Sequence, residues 1–140
     1  MNNLDFQESR IFSKGEVFDA YVHILKLIQS AKNSITLINH YVNEDTLTML
    51  SRNLDKEIAI YTDSVSTQLQ LDLNAYNKQY HPITIKTSAV FNDNYLILDK
   101  TRVYRLSTNI VALGEEPSTI VFLRDFDENS LLEIIGRKAK

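Results

Sequence analysis

The segment Val90–Asn109, VFNDNYLILDKTRVYRLSTN, contains two predicted strands separated by a short polar turn. The first strand, Asn94–Asp99, has the run of aliphatic and aromatic residues that is typical of a buried strand. Two amides, Asn92 and Asn94, stand two residues apart at its start. Because side chains alternate along a strand, both amides project from the same face. They are candidates either for the ordinary polar end of a strand or for a functional site.

The rest of the chain predicts an α/β domain. Helical and strand periodicities alternate in the first half, so those strands should be parallel and joined by helical crossovers. Closely spaced strands fill the second half, and they suit antiparallel pairing. We therefore expect a mixed sheet with helices on both faces. The predicted strands are Glu8–Phe12, Ser34–Asn39, Glu57–Thr62, Ile83–Thr87, Asn94–Asp99, Arg102–Ser107 and Ser118–Arg124. The predicted helices lie within Ser13–Lys32, Asn43–Asn53, Ser64–Tyr80 and Asp127–Lys138.

Polar residues mark the ends of these helices. Ser13 and Glu16 have the spacing of a capping box before the first helix. Asn43 and Asp127 are predicted N-caps of the second and fourth helices. The third helix should end at His81, because the residue before a proline avoids the helical region.

Composition excludes several classes of protein. The chain has 140 residues, a net charge of −3 and no cysteine, which excludes disulfides and thiol catalysis. Three histidines without cysteine argue against a zinc site, so we predict no metal and no cofactor. No apolar run is long enough to span a bilayer, and the N-terminus lacks the regions of a signal peptide. We expect a soluble, cytoplasmic protein without a membrane partner. Its acidic balance gives no general attraction to nucleic acid.

Several stretches of the sequence resemble one family. The most specific are Thr36–Ser51, TLINHYVNEDTLTMLS, and Gln68–Lys86, QLQLDLNAYNKQYHPITIK. Over nearly its whole length, and less so after Gly114, the chain is similar to the phospholipase D-like module at the C-terminus of bacterial and prophage proteins. Those proteins carry an N-terminal KilA-N-like DNA-binding domain of the phage antirepressor type, which is absent from these residues. The resemblance implies one phospholipase D-like domain over residues 1–140.

The phospholipase D superfamily carries the motif H-x-K-x4-D-x6-G-S-x-N. Its histidine attacks phosphorus and forms a covalent phospho-histidine, and its lysine, often arginine in the close family, neutralises phosphate charge. A complete site needs two copies of the motif, so the resemblance implies that a chain with one copy forms a homodimer. In this sequence the motif positions fall in order on Asn92, Asn94, Asp99, Leu106, Ser107 and Asn109.

The spacing of the motif positions matches the family, but the residues that perform its chemistry are replaced. Asp99, Ser107 and Asn109 match the family, whereas the nucleophile, the cation and the glycine are replaced. The amide of Asn92 has no nucleophilic nitrogen comparable to imidazole, and Asn94 removes the positive charge that would face a phosphate. The resemblance therefore implies a module that is not an enzyme.

One other histidine is a candidate substitute for the missing nucleophile. His40 follows the strand Ser34–Asn39, so it lies near a strand's carboxyl end, where ligand sites occur in α/β sheets. The alternative is that His40 is a loop or capping residue. His81 is predicted to interact with a helix end. His23 falls on the polar side of the first helix and is predicted to be exposed.

A group of cations follows the first motif strand. Lys100, Arg102 and Arg105, with Tyr104 between them, are the predicted ligand-binding residues of a local phosphate patch with an aromatic platform. The alternative is a solvated turn and strand edge. The pair Glu115–Glu116 adds negative charge where the resembling family is usually basic.

Three functions remain open from the sequence. The first is a catalytically inactive homodimeric module that binds a protein partner, with a phage or mobile-element regulatory or counter-defence role implied by the resemblance. The second is a phosphodiesterase or nuclease with a rearranged site that includes His40. The third is a non-catalytic nucleic-acid-binding module that uses Lys100, Arg102 and Arg105.

Overall fold

The computed structural model describes residues 9–138. The strands are β1 Arg10–Phe12, β2 Ser34–Ile38, β3 Glu57–Thr62, β4 Ile83–Thr87, β5 Asn94–Leu98, β6 Arg102–Leu106 and β7 Ser118–Leu123. The helices are α1 Val17–Ser30, α2 Glu44–Leu50, α3 Thr67–Gln79 and α4 Glu128–Lys138, with a 3₁₀ turn at Ile110–Ala112. All seven predicted strands and four predicted helices are confirmed, although Glu8, the first residue of the first predicted strand, lies outside the described residues.

The strands form one mixed sheet in the order β1-β7-β6-β5-β2-β3-β4. β2, β3 and β4 are parallel, as expected for strands joined by helical crossovers. The remaining neighbours are antiparallel, as the short connections of the second half predict. The predicted mixture of parallel and antiparallel pairing is confirmed.

Helices cover both faces of the sheet, as predicted. The larger core contains Ile35 and Leu37 of β2 together with apolar residues of α1, α2 and α3. Because β2 alternates, Ile38 points to the opposite face, where it belongs to a smaller cluster with Leu131 of α4. Three helices therefore lie on one face and α4 lies on the other.

Two of the predicted helix caps are confirmed, and the predicted capping box of Ser13 and Glu16 forms only in part. The side chain of Asn43 accepts hydrogen bonds at the start of α2, and Asp127 accepts one from the backbone N–H of Ser130 in α4. Ser13 does not cap α1, because the helix begins four residues later and the intervening residues form a turn. The carboxylate of Glu16 does accept a hydrogen bond from the Ser13 N–H, at 2.6 Å, which is one of the two bonds of the predicted capping box.

The prediction that His23 is exposed is wrong. Its side chain is only 6% exposed and packs beside Phe12, with 6.1 Å between the ring centroids. The short strand β1 covers His23, whereas Asp19 and Lys26 on the same polar side of α1 remain exposed. Burial, followed by the nearby charges of Arg10 and Lys26, lowers the pKa of His23 to about 4.

One edge of the sheet collects several strand ends. The carboxyl ends of β2, β3 and β6 meet the amino end of β5 there, because β5 is antiparallel to both β2 and β6. The connection from β4 to β5, residues 88–93, passes over the ends of β3 and β2, since those two strands lie between β4 and β5. This is the edge at which α/β sheets usually bind ligands.

Candidate functional site

Two of the predicted motif amides hold the chain that follows β2. Asn94 is 4% exposed, and its Oδ1 accepts a hydrogen bond from the backbone N–H of His40 at 2.9 Å. Asn109 accepts one from the backbone N–H of Tyr41 at 3.0 Å. The sequence spacing therefore brings these two amides to one edge of the sheet, where they satisfy consecutive backbone donors.

A third amide, which the sequence reasoning missed, belongs to the same network. Asn39 is 1% exposed, and its Oδ1 accepts a hydrogen bond from the backbone N–H of Ile110 at 2.8 Å. Its Nδ2 donates to the carbonyl of Ile38 at 2.7 Å. The available signal was a polar residue directly after a run of buried strand residues, at the carboxyl end of a parallel strand.

His40 lies at the centre of this edge, and both of its ring nitrogens are engaged. Nδ1 lies 3.0 and 3.1 Å from the carboxylate oxygens of Asp63. Nε2 lies 2.8 Å from the backbone carbonyl of Asn92. Both partners are acceptors, so both hydrogen bonds form together only when each ring nitrogen carries a proton. The geometry therefore favours the imidazolium form.

Electrostatics point to the same protonation state. The pKa of His40 is raised because the Asn92 carbonyl and the Asp63 carboxylate both accept hydrogen bonds from the charged ring, and the negative charge of Asp93 adds to the effect. An imidazolium has no free nitrogen lone pair, so in this state His40 can act neither as a nucleophile nor as a base.

Asn92 and Ser107 lie at the same edge of the sheet, but their side chains do not hold the chain that follows β2. The side chain of Asn92 is exposed, and the residue contributes its backbone carbonyl to His40. The exposed Ser107 accepts a hydrogen bond from the backbone N–H of Thr119 at 2.9 Å, which joins the ends of β6 and β7. Leu106, at the motif's glycine position, is a buried residue of β6.

Asp99 lies at the opposite end of β5, away from the other motif positions. Its carboxylate accepts hydrogen bonds from the backbone N–H groups of Lys32, Asn33 and Ser34 at distances from 2.6 to 3.1 Å. Burial acts to raise the pKa of Asp99, but these three donors and the nearby Arg102 lower it overall. The carboxylate connects the β5–β6 turn to the start of β2.

The predicted cation patch is not assembled in one place. Lys100 is exposed in the β5–β6 turn, whereas Arg102 is half-buried, lies 3.6 Å from Asp99 and donates to the carbonyl of Ser30. Arg105 is exposed, but strand alternation places it on the face opposite to Arg102. Tyr104 is fully buried, so it offers no accessible aromatic platform.

Residues 9–138 contain neither a cluster of metal-ligating side chains nor a helix that could span a membrane. Within residues 9–138 no three His, Asp or Glu side chains converge in the way that a metal site requires. None of the helices in that range is long and apolar enough to cross a bilayer.

Neither a family model nor a curated protein matches this sequence. NucT from Helicobacter pylori, a phospholipase D-like nuclease, has a similar structure, with a TM-score of 0.61 and 17% identity over 94% of this chain and 93% of NucT. TrmBL2, described as an archaeal chromatin protein with a novel mode of DNA binding, has a TM-score of 0.55 and 16% identity. That match covers 99% of this chain and 52% of TrmBL2. These likenesses, with the mixed seven-stranded sheet, show that the chain has a phospholipase D-like fold.

Proposed function

We propose that this chain is a catalytically inactive phospholipase D-like module that acts by binding a protein partner. The observation that carries the proposal is the state of His40, whose two ring nitrogens are both held by acceptors. On the basis of the family resemblance, the proposal also includes homodimerisation and a regulatory or counter-defence role in phages or mobile elements.

The chemistry of phosphodiester cleavage supports this proposal. A covalent mechanism needs a nucleophile with a free lone pair and a positive charge at the phosphate. Asn92 and Asn94 supply neither, and the Oδ1 of Asn94 is already occupied by the His40 N–H. The carboxylates of Asp63 and Asp93 add negative charge near His40, which would repel a phosphate.

Turnover of phosphodiesters tests the proposal directly. The purified chain is incubated with single- and double-stranded DNA, RNA and a chromogenic phosphodiester, with and without a chelator, and NucT serves as the positive control. We expect no cleavage above buffer. Cleavage that disappears in Asn92→Ala or in His40→Ala would overturn the proposal, because it would locate chemistry at this edge.

A rearranged phosphodiesterase site is the second candidate. The contact between His40 and Asp63 supports it, since a carboxylate commonly orients a catalytic histidine. This function requires Nε2 to leave the Asn92 carbonyl and lose its proton. It predicts cleavage that rises with pH and is lost in His40→Ala, while Asn92→Ala leaves cleavage intact.

Binding of nucleic acid without chemistry is the third candidate. The fold that TrmBL2 shares supports it, as does the exposure of Lys100 and Arg105. Phosphate contacts predict an affinity for DNA that falls steeply with salt and is reduced by Lys100→Glu. Lys78→Glu is the matched control, because it makes the same change of charge at an exposed position of α3. Absent or salt-independent binding would remove this candidate.

A further inference from the structure

An apolar cavity lies beside the network of buried amides. Its volume is about 310 Å³, and it is bounded by the first turn of α1, by α2 and by the 3₁₀ turn. Met49, Ile110 and Leu113 are buried and form its floor, while Val17 and Val111 are partly exposed at its mouth. This volume lies at the lower end of the range of about 300–1,000 Å³ for small-ligand pockets. It suits one or two apolar side chains better than a large cofactor.

Two of the cavity walls are fixed in position. Asn39 holds the 3₁₀ turn through the N–H of Ile110 at 2.8 Å. Gly114 packs against the start of α1 so closely that a Cβ atom there would lie 2.5 Å from the carbonyl oxygen of Glu16. The backbone N–H of Gly15 also donates to the carbonyl of Gly114 at 2.8 Å. The cavity is therefore preformed, which lowers the entropic cost of binding.

Apolar side chains are exposed in the helical turn that borders the cavity. Phe18 is 73% exposed and Val17 is 45% exposed, both in the first turn of α1. Exposed apolar side chains next to an apolar cavity mark interaction sites more often than scattered ones do. Tyr21 lines the cavity and is partly exposed, and aromatic side chains are enriched at interface hot spots.

Negative charge surrounds this apolar surface. Asp45 lines the cavity. The exposed pair Glu115–Glu116 follows the cavity wall at Gly114. Lys14 is the neighbouring cation, and it pairs with Glu116 at 3.6 Å. A ligand that fills this cavity would therefore gain from positive charge beside its apolar group.

We propose that this cavity, lined at its open side by Val17 and Tyr21, binds a segment of a partner protein that inserts one large apolar side chain flanked by Lys or Arg. The inference rests on the proposed role as a protein-binding module and names the chemistry of the partner. A second copy of this chain fits the surface poorly, because a symmetric contact would bring the same acidic residues together. Nucleic acid is repelled by the same charges.

Selection from a random peptide display library tests the inference. The full chain is immobilised, and peptides that also bind the bare support are removed. We expect the enriched peptides to share a Leu, Ile, Met or Phe flanked by basic residues. One enriched peptide is then synthesised, and its affinity is measured by fluorescence anisotropy at several salt concentrations. Loss of one well-buried apolar anchor costs about tenfold in affinity or more, so Val17→Arg and Val111→Arg should each weaken binding by at least that factor.

Two equal charge reversals distinguish peptide binding at this cavity from a general attraction of basic peptides to an acidic protein. Asp45→Lys should weaken binding several-fold, whereas Asp125→Lys, an equal change at the other end of the sheet, should have little effect. Equal losses in the two variants would overturn the inference, and so would enriched peptides without basic residues. Thermal unfolding confirms that each variant is folded. If Val111→Arg does not fold, Val17→Arg alone tests the contribution of the cavity to binding. If no such peptide binds, the result of the phosphodiester cleavage assay is unaffected. The two proposals can therefore fail independently.

Discussion

The side chain of Asn94 accepts a hydrogen bond from the backbone N–H of His40, a residue 54 positions earlier in the chain, at 2.9 Å. Because Asn94 is buried, its removal would leave that N–H without an acceptor. We predict that Asn94→Ala lowers the free energy of unfolding by roughly 1–3 kcal/mol. Urea denaturation followed by circular dichroism measures the change.

Asn92→Ala is the matched control for this prediction. Asn92 is the other motif amide, but its side chain is exposed and its contribution to His40 comes from the backbone carbonyl. Its substitution should change the free energy of unfolding by no more than about 0.5 kcal/mol. Equal effects of the two variants would contradict the structural difference between them.

His40 should titrate above its ordinary pKa of 6.5, because the Asn92 carbonyl and Asp63 both stabilise the charged ring. A group whose pKa is raised by folding stabilises the protein fully below pH 6.5, and this stabilisation is lost as the pH rises through the folded-state pKa. An NMR titration of the His40 ring measures this pKa. Asp63→Asn should lower it, whereas Asp125→Asn should leave it unchanged.

His23 should affect stability in the opposite direction. Its folded-state pKa is lowered to about 4, so the unfolded chain binds a proton between pH 6.5 and 4 that the folded chain does not. We predict that the stabilisation is complete above pH 6.5 and falls by at most about 3 kcal/mol as the pH approaches 4. Denaturation at several pH values measures the slope, which should be shallower in His23→Leu. An identical slope in that variant would show that other groups cause it.

Removal of the Asp99 carboxylate should destabilise the β5–β6 turn. Asp99 and Lys100 both have positive φ angles, of 55° and 65°, which cost energy for residues other than glycine. The three hydrogen bonds that Asp99 accepts from residues 32–34 offset that cost. We predict that Asp99→Ala lowers the free energy of unfolding by roughly 2–4 kcal/mol. Lys100→Ala, which keeps the carboxylate, should change it little, and a comparable loss would contradict this account of the turn.

Much of the fold could be predicted from the sequence because its signals are local. Runs of apolar and β-branched residues bounded by polar ones marked the strands, and Asn43 and Asp127 marked the starts of two helices. The environment of His23 could not be predicted in this way, because it depends on β1 packing against α1 across the edge of the sheet.

The candidate site was predicted only in part, for the same reason. Motif spacing brought Asn94 and Asn109 to one edge of the sheet, where they hold consecutive residues of the chain after β2. The role of Asp63 depends on the position of β3 beside β2, which no local pattern reveals. The linear cluster Lys100–Arg105 suggested a patch, but strand alternation separates its arginines.

The bond from Asn94 to the His40 backbone also limits how this chain could acquire the superfamily's chemistry. A lysine at position 94 would lose the acceptor that His40 needs, and its ammonium group would stand at a buried site. The double substitution Asn92→His, Asn94→Lys would therefore have to be accompanied by changes in the chain after β2 before it could yield a stable protein. A catalytic cation and a stable fold would therefore make opposing demands on the side chain at position 94.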